Sequence, residues 1–504
     1  MWAMTGARVS LDPPIAASLP SSRPAIPHGR FLVAGLGRAG RAAAQALSQA
    51  VGPELVRAWD ADTGSSMRRL RSDLEAEGIR TRLSPGLTKR EVGWARTLVK
   101  SPGIPLHAPV IQRALAKGLE VMDELELGWR LTLAPMVAVT GTNGKSTVCG
   151  MADSILSAAG LRVRLAGNTQ FGSCLSSLAS EPLDWIVCEV SSFQLEGCVH
   201  MLPDIAVFTN LTPEHLGRHR TLAQYGAIKR RLFVNDGRAV ARAIIDVDSP
   251  FGHDLAAKIE WCGGVVTRVG FSSAADYRVT SAAWDLRLAE IDLSTPADRI
   301  SLVSSLPGAY NARNVAAALA IADLIGVERR TSVAALRTYV GPSGRFEHID
   351  EGQPFDVIVD FAHTPDALEQ LLTTVRAGMK RAARLTVVFG VGGPPGTSMM
   401  NLGRVARESA DRLILTTSGF RGSPPVLALE SILAGARLAT GGEMEVILDR
   451  RRAIERAVLS ARAGDVIVIP GRGALPDMQP DPRGTPIPFD DRAVAREIVR
   501  DRAT

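Results

Sequence analysis

Aromatic side chains make up only 5% of this 504-residue sequence, whereas Ala, Val, Leu and Gly are frequent, the balance that alternating strands and helices over parallel sheets require. Cysteine is sparse too. Cys149, Cys174, Cys188, Cys198 and Cys262 lie in the middle third, are odd in number and lack CxxC spacing. They leave no paired disulfide framework and read as small apolar residues in a reducing cytosol. No run of about eighteen uninterrupted apolar residues occurs, and the start lacks the basic segment and apolar core of a signal peptide. No membrane insertion is therefore expected, and the protein reads as soluble and cytoplasmic. The formal net charge is +6, with arginines spread along the chain rather than gathered into a basic run. No nucleic acid is implied, and an anionic small substrate fits. With 46% hydrophobic and 22% charged residues, the length suits about three domains, each with its own core. Nothing resembles a coiled coil or a long exposed apolar face, so a monomer is expected.

Residues 1–29 carry Pro13, Pro14, Pro20, Pro24 and Pro27, which oppose regular structure, and they read as a disordered leader. Order begins at Phe31, where Phe-Leu-Val-Ala runs into Gly35-Leu36-Gly37-Arg38-Ala-Gly40 and an Ala-rich helix. This has the form of a dinucleotide-type fingerprint. A second strand, Leu55-Val-Arg-Ala-Trp59, ends at Asp60, about twenty residues past the last glycine, where such folds place an acid on a ribose. Close strand–helix packing without a ligand is the other reading. Lys100-Ser101-Pro-Gly103-Ile-Pro-Leu follows the next apolar strand and makes a tight loop at the same sheet edge, where open α/β sheets bind ligands. Two loops and one acid suggest a nucleotide diphosphate.

The most informative segment is Val137-Ala-Val-Thr-Gly141-Thr142-Asn143-Gly144-Lys145-Ser146-Thr147, which reads as a buried strand delivering a glycine loop to a helix. Gly141 and Gly144 let backbone N–H groups turn inward around an anion, Lys145 reaches the outer phosphates, and the Ser146 or Thr147 hydroxyl suits magnesium. A nucleoside triphosphate is the expected ligand, although the general pattern has glycine where Val139 stands. Downstream, Asp184-Trp-Ile-Val-Cys-Glu189 places an acid at a strand end beside the loop, where an apolar strand has no structural use for it. A metal-ligand role is expected. The strand Ile205-Ala-Val-Phe-Thr-Asn210 leads to Leu-Thr-Pro-Glu-His215, whose imidazole is a candidate for the same metal or for phosphate.

These segments resemble the Mur ligase family. The short Gly-Thr-Asn-Gly-Lys-Ser-Thr loop is the form that Mur ligases and their folylpolyglutamate synthetase relatives carry. The glycine fingerprint, Ser-Pro-Gly-Ile-Pro and Gly118-Leu-Glu-Val-Met-Asp-Glu-Leu-Glu-Leu are similar to the N-terminal domain of the members that add D-glutamate. The resemblance implies an α/β protein of three domains: a Rossmann-like UDP-substrate domain over residues 30–131, a central P-loop ATPase-like domain over 132–341, and a C-terminal Rossmann-like domain over 342–504. It implies that Leu36, Arg38, Asp60, Ser101 and Gly103 lie near the uracil, ribose or diphosphate of UDP-N-acetylmuramoyl-L-alanine, and that Asn168, Thr169, Ser191, Ser192 and Gln194 contact its muramoyl part. ATP and Mg2+ are the implied cofactors, the metal being held by Ser146, Glu189, His215 and Lys229. Lys229 matches a family lysine that becomes carbamylated; without the resemblance it reads as a solvated residue of a basic helix. Asn314 matches the residue that holds adenine, and Asp360 one that contacts the ATP ribose. Arg345 matches an arginine that reaches the nucleotide when domains close, a surface salt bridge being its other reading.

The expected reaction joins D-glutamate to UDP-N-acetylmuramoyl-L-alanine through an acyl phosphate, with Lys145, Lys229, His215 and Glu189 as the catalytic set. Yet Asp360-Phe-Ala-His-Thr-Pro-Asp, Val388-Phe-Gly-Val-Gly-Gly393 and Gly471-Arg-Gly473 look more like the member that adds the third residue. Pro-Pro-Gly-Thr-Ser-Met-Met follows Gly393 instead of an Asp-Arg-Asp stretch, and Thr417-Ser-Gly-Phe-Arg421-Gly stands in place of the Asp-Asn-Pro-Arg motif used for diaminopimelate. Thr397, Ser418 and Arg421 are candidates for an amino-acid carboxylate contact. Third-residue addition, a folylpolyglutamate-type ligase and a non-catalytic nucleotide-binding regulator remain alternatives.

Overall fold

Short apolar strands alternate with helices from Phe31 onward, and in the computed structural model, which describes residues 23–168, 172–481 and 485–503, they build parallel sheets of the expected α/β class. The chain divides into two compact units. The first runs through Arg278 and adds Ser294–Asp298 and Arg313–Ala335; the second comprises Val279–Leu293, Arg299–Ala312 and the chain from Leu336 onward.

In the first unit, β1 (Phe31–Ala34), β2 (Val56–Asp60), β3 (Arg80–Leu83), β4 (Thr97–Lys100) and β5 (Glu120–Asp123) pair in parallel in the order β3-β2-β1-β4-β5. Alternation along β1 sends Phe31 and Val33 to a core with Leu47 and Met122, and Leu32 and Ala34 to one with Trp59 and Ile111. Both faces are covered, which is why the strand is apolar throughout. The order reverses between β1 and β4, so the loops after these strands flank the crevice where such sheets bind ligands.

A second parallel sheet of this unit is ordered β13-β12-β9-β6-β8-β7. Its strands are β6 (Met136–Thr140), β7 (Val163–Gly167), β8 (Trp185–Glu189), β9 (Ile205–Phe208), β12 (Arg242–Asp246) and β13 (Val265–Gly270), with a short hairpin of β10 (Val234–Asn235) and β11 (Arg238–Ala239) between β9 and β12 in the chain. Register aligns Val139 with both Glu189 and Val207, and Gly167 with Glu189. The loops after β6, β7, β8 and β9 therefore leave one carboxyl edge together.

Acidic residues join the two sheets. Asp123, Glu124 and Glu126 are all buried where the helix Glu124–Leu131 begins. The Glu124 carboxylate accepts hydrogen bonds from the Ser176 amide (2.8 Å) and hydroxyl (2.6 Å), while Glu126 accepts from the amides of Val199 (3.1 Å), His200 (3.2 Å) and Met201 (2.9 Å). Lys100 and Asp123 form an ion pair at 2.8 Å with both side chains fully buried. Residues 23–29, part of the expected leader, hold no helix or strand, yet Arg23 is tied to this join. Its guanidinium donates to the carbonyls of Trp129 (3.1 Å), Thr132 and Ala134 (2.8 Å) and to Asp204 (3.3 Å). Proline content describes the backbone of this stretch; the partnered arginine fixes its place.

β14 (Tyr277–Trp284), β15 (Ala289–Ser294) and β16 (Arg299–Ser304) follow in the chain. The second unit is built on β17 (Glu347–His348), β18 (Asp356–Asp360), β19 (Leu385–Phe389), β20 (Arg412–Leu415), β21 (Glu443–Val446) and β22 (Val466–Pro470), ordered β17-β18-β22-β19-β20-β21 with only β17 antiparallel. Val387, Phe389 and Val468 enter one core, and Val357, Val359 and Ile467 the other. Among the described residues no helix is long and apolar enough to cross a membrane, and the five cysteines are free.

Candidate active site

The loop after β6 takes its shape from glycine. Gly141 has φ +153° and its absent Cβ would sit 1.9 Å from Thr209 Oγ1; Gly144 is left-handed at φ +86°, with Asn314 Oδ1 2.7 Å from where its Cβ would be. The segment after β9 stitches the loop in place. Asn143 N–H donates to Asn210 Oδ1 (2.8 Å), Thr209 Oγ1 donates to the Asn143 carbonyl (2.6 Å), and the Thr142 amide donates to the Asn210 carbonyl (2.9 Å). Two lysines converge on one acceptor: the Gly141 carbonyl receives Lys145 Nζ at 3.1 Å and Lys229 Nζ at 2.7 Å. Lys145 also reaches the Thr142 carbonyl at 2.6 Å. Lys229 is buried, not solvated as its basic helix suggested. Burial, with Lys145 nearby, pushes its ammonium well below the usual lysine range.

Glu189 ends β8 against this loop. Ser146 Oγ donates to its carboxylate at 2.7 Å and Asn168 Nδ2 at 3.3 Å, while the Asn168 amide donates to the Glu189 carbonyl at 2.7 Å. Ser191 and Gln194 close a reciprocal cap at the start of the next helical turn, and Ser192 Oγ meets His219 Nε2 at 2.9 Å. His215 has φ +55°, pairs with Glu214 at 3.5 Å and packs on Phe193 with ring centroids 4.7 Å apart. Thr147 lies beside Ser146 in the first turn of the helix Lys145–Ala158. Thr169 lies outside the described residues.

At the edge of the first sheet, Asp60 Oδ2 accepts the Leu36 amide at 2.6 Å, so the acid and the glycine fingerprint are one structure. Gly40 is required there, because its Cβ would stand 1.6 Å from the Gly35 carbonyl oxygen. Ser101 N–H donates to the Ala34 carbonyl at 2.8 Å, bringing the Ser-Pro-Gly loop beside the fingerprint; Gly103 has open space where its Cβ would be. Arg38 lies at the start of the helix Arg38–Val51, where its charge acts on Glu124 and it hydrogen-bonds Cys174.

In the second unit, Asp360 ends β18 with its two carboxylate oxygens accepting the Phe346 and Ala362 amides, each at 2.7 Å. Burial raises its pKa against the pull of Arg345. Arg345 lies over the Phe361 ring, 4.7 Å from its centroid. Thr397 opens the helix Thr397–Ser409, Ser418 is buried and Arg421 is mostly exposed in the loop after β20. Sequence reasoning passed over Thr209 and Asn210 as loop partners, and Arg218 and His219 beside Ser192. Only the strand-end position of Thr209-Asn210 offered a local signal.

The arrangement offers an anion cradle, two lysines and a carboxylate–hydroxyl pair at one sheet edge. Among the described residues no cluster of three His, Cys, Asp or Glu side chains is placed to hold a metal. A single carboxylate with a hydroxyl nonetheless fits magnesium, which keeps waters and takes phosphate oxygens from its substrate. Family models for the Mur ligase middle domain and for the Mur ligase glutamate ligase domain match residues 139–322 and 344–473. The UDP-N-acetylmuramoyl-L-alanyl-D-glutamate--2,6-diaminopimelate ligase of Syntrophomonas wolfei is 33% identical over 390 residues, covering 72% of this chain and 78% of that protein. The UDP-N-acetylmuramoylalanine--D-glutamate ligase of Microcystis aeruginosa is 32% identical, covering 65% and 72%. A solved diaminopimelate ligase structure overlays with a TM-score of 0.54 at 25% identity, over 83% of this chain and 95% of that one. The chain belongs to the Mur ligase family.

Proposed function

We propose that this protein is an ATP-dependent amide-bond ligase acting on a UDP-muramoyl precursor of peptidoglycan in the cytoplasm. The observation that carries the reading is the shared edge of the second sheet, where the Gly141–Thr147 loop, Lys145, Lys229 and the Ser146–Glu189 pair meet. In this reading the loop amides and Lys145 hold the phosphates of ATP, and Asn314 lies beside the loop for the base. Ser146 and Glu189 would hold magnesium, with His215 and a carbamylated Lys229 as further contributors; when bound, the metal offsets phosphate charge. A carboxylate oxygen of the muramoyl substrate attacks the γ-phosphorus and ADP leaves. The amine of the incoming amino acid then attacks the acyl carbon of the resulting acyl phosphate, losing a proton as phosphate departs. Positioning and preorganised charge supply the acceleration.

Addition of the third residue, a diamino acid, to UDP-N-acetylmuramoyl-L-alanyl-D-glutamate is favoured by the names of several relatives matched. Addition of D-glutamate to UDP-N-acetylmuramoyl-L-alanine is the second reading, favoured by the first sheet. There Asp60 is bonded to the glycine fingerprint beside Ser101, in the segments that resemble the N-terminal domain of the D-glutamate adders. The deciding experiment is phosphate release from MgATP with either UDP substrate and D-glutamate, L-glutamate, meso-diaminopimelate or L-lysine. Turnover with the dipeptide substrate and a diamino acid supports the first reading; turnover with the L-alanine substrate and D-glutamate supports the second. Silence with every pair refutes the ligase reading.

A further inference from the structure

The single helical turn Leu216–His219 lies between two non-glycine residues with positive φ, His215 at φ +55° and Arg220 at φ +64°. Backbone held this way on both sides persists only where its surroundings over-determine it. The turn aims two side chains at opposite ends of the proposed UDP-substrate site. His219 Nε2 meets Ser192 Oγ at 2.9 Å on one side. On the other, Arg218 donates to the Pro102 and Gly103 carbonyls, each at 3.3 Å. Glu196 braces the guanidinium along one edge, at 2.8 Å to Nε and 2.6 Å to Nη2, and the guanidinium carbon lies over the Phe193 ring, 4.6 Å from its centroid.

We propose that Arg218 is a positioning residue that locks the Ser101–Gly103 loop of the first sheet onto the Ser192–Glu196 turn of the second, so that the nucleotide end and the muramoyl end of one UDP-linked substrate are held at a fixed separation. The inference deepens the ligase reading and rests on it. A planar fork is what the geometry requires, since one guanidinium serves a carboxylate and two carbonyls at once, whereas an ammonium has no such fixed fan of donors. The residue touches no reacting group, and its effect is confined to how the substrate is gripped.

The test compares the wild type with Arg218→Met, Arg218→Lys and Glu196→Gln. Expected for Arg218→Met is a rise of about tenfold in the KM for the UDP substrate with the KM for ATP within about twofold, the signature of lost ground-state binding at one substrate only. Arg218→Lys should fall between, and Glu196→Gln should move the same KM. Hydrogen–deuterium exchange on the ligand-free proteins should show faster exchange of residues 101–106 in Arg218→Met, with residues 141–147 unchanged. Equal changes in both KM values, or an unchanged exchange rate at the 101–106 loop, would overturn the proposal. The ligase reading fails separately, when the wild type itself turns over no UDP substrate. Should Arg218→Met not fold, the Lys and Gln variants carry the same comparison.

Discussion

Glu124 makes stability depend on pH in a direction opposite to the usual carboxylate. Its side chain is buried at the join between the two sheets of the first unit, and burial pushes its pKa from 4.5 to about 7, the hydrogen bonds from Ser176 pulling only part of the way back. Between those values the folded protein keeps a proton that the unfolded chain has lost, so the folded state binds more protons and unfolding free energy falls as pH rises from about 4.5 to about 7. At about 1.4 kcal/mol per pKa unit the loss across that window is on the order of 3 kcal/mol. Glu124→Gln keeps an oxygen for the Ser176 amide and hydroxyl but has no proton to lose. Its stability relative to the wild type should therefore rise by that amount between pH 4.5 and 7.5. Asp123, pushed up to about 6 by burial, is present in both proteins, so the difference is dominated by Glu124. Urea denaturation at half-unit pH steps measures it. A wild-type-minus-variant difference that stays flat with pH, or that moves in favour of the wild type as pH rises, refutes the reasoning.

Glu189→Gln should reduce turnover by about a hundredfold or more while leaving the melting temperature within a few degrees, because the Ser146 and Asn168 contacts have a near-isosteric partner but the charge is gone. Steady-state phosphate release and calorimetry check the pair. Gly141→Ala drives a methyl group to 1.9 Å from Thr209 Oγ1, so roughly 1–3 kcal/mol of strain enters the loop and ATP affinity, read by isothermal titration, should drop more than about tenfold. Arg450 and Asp491 are fully buried in an ion pair at 2.7 Å in the second unit, and Arg450→Met, which leaves the acid only the longer contact to Arg472 at 3.9 Å, should cost about 3 kcal/mol of stability in urea denaturation.

What was legible in the sequence is what local chemistry enforces. Gly35, Gly40, Gly141 and Gly144 stand where a Cβ would strike backbone or side chain, so glycine spacing announces both loops before any partner is known. The parallel class of the sheets followed from the same logic, since runs such as Val137–Val139 and Trp185–Cys188 are apolar at every position only when both faces are covered. The unread part consists of pairings over long separations. Arg218 reaches Gly103 across 115 positions, Glu126 reaches Met201 across 75, and Arg23 reaches Ala134 across 111. Nothing in the residues adjoining Arg218 or Glu126 distinguishes them from solvated charges. Lys229 is the clearest case: a basic helix surface and a buried amine on a loop carbonyl have the same local pattern.

The Gly141 carbonyl makes anion binding at this loop an exchange of partners. With Lys145 and Lys229 both donating to one backbone oxygen, the loop already satisfies its own amine donors. An arriving phosphate would then swap places with a carbonyl rather than fill a naked positive field, and the affinity would be the difference between two hydrogen-bonded states. Such a site discriminates by what Lys145 gives up: a weak anion gains too little to displace the backbone, and only a ligand able to satisfy the loop amides and Lys145 together repays the exchange.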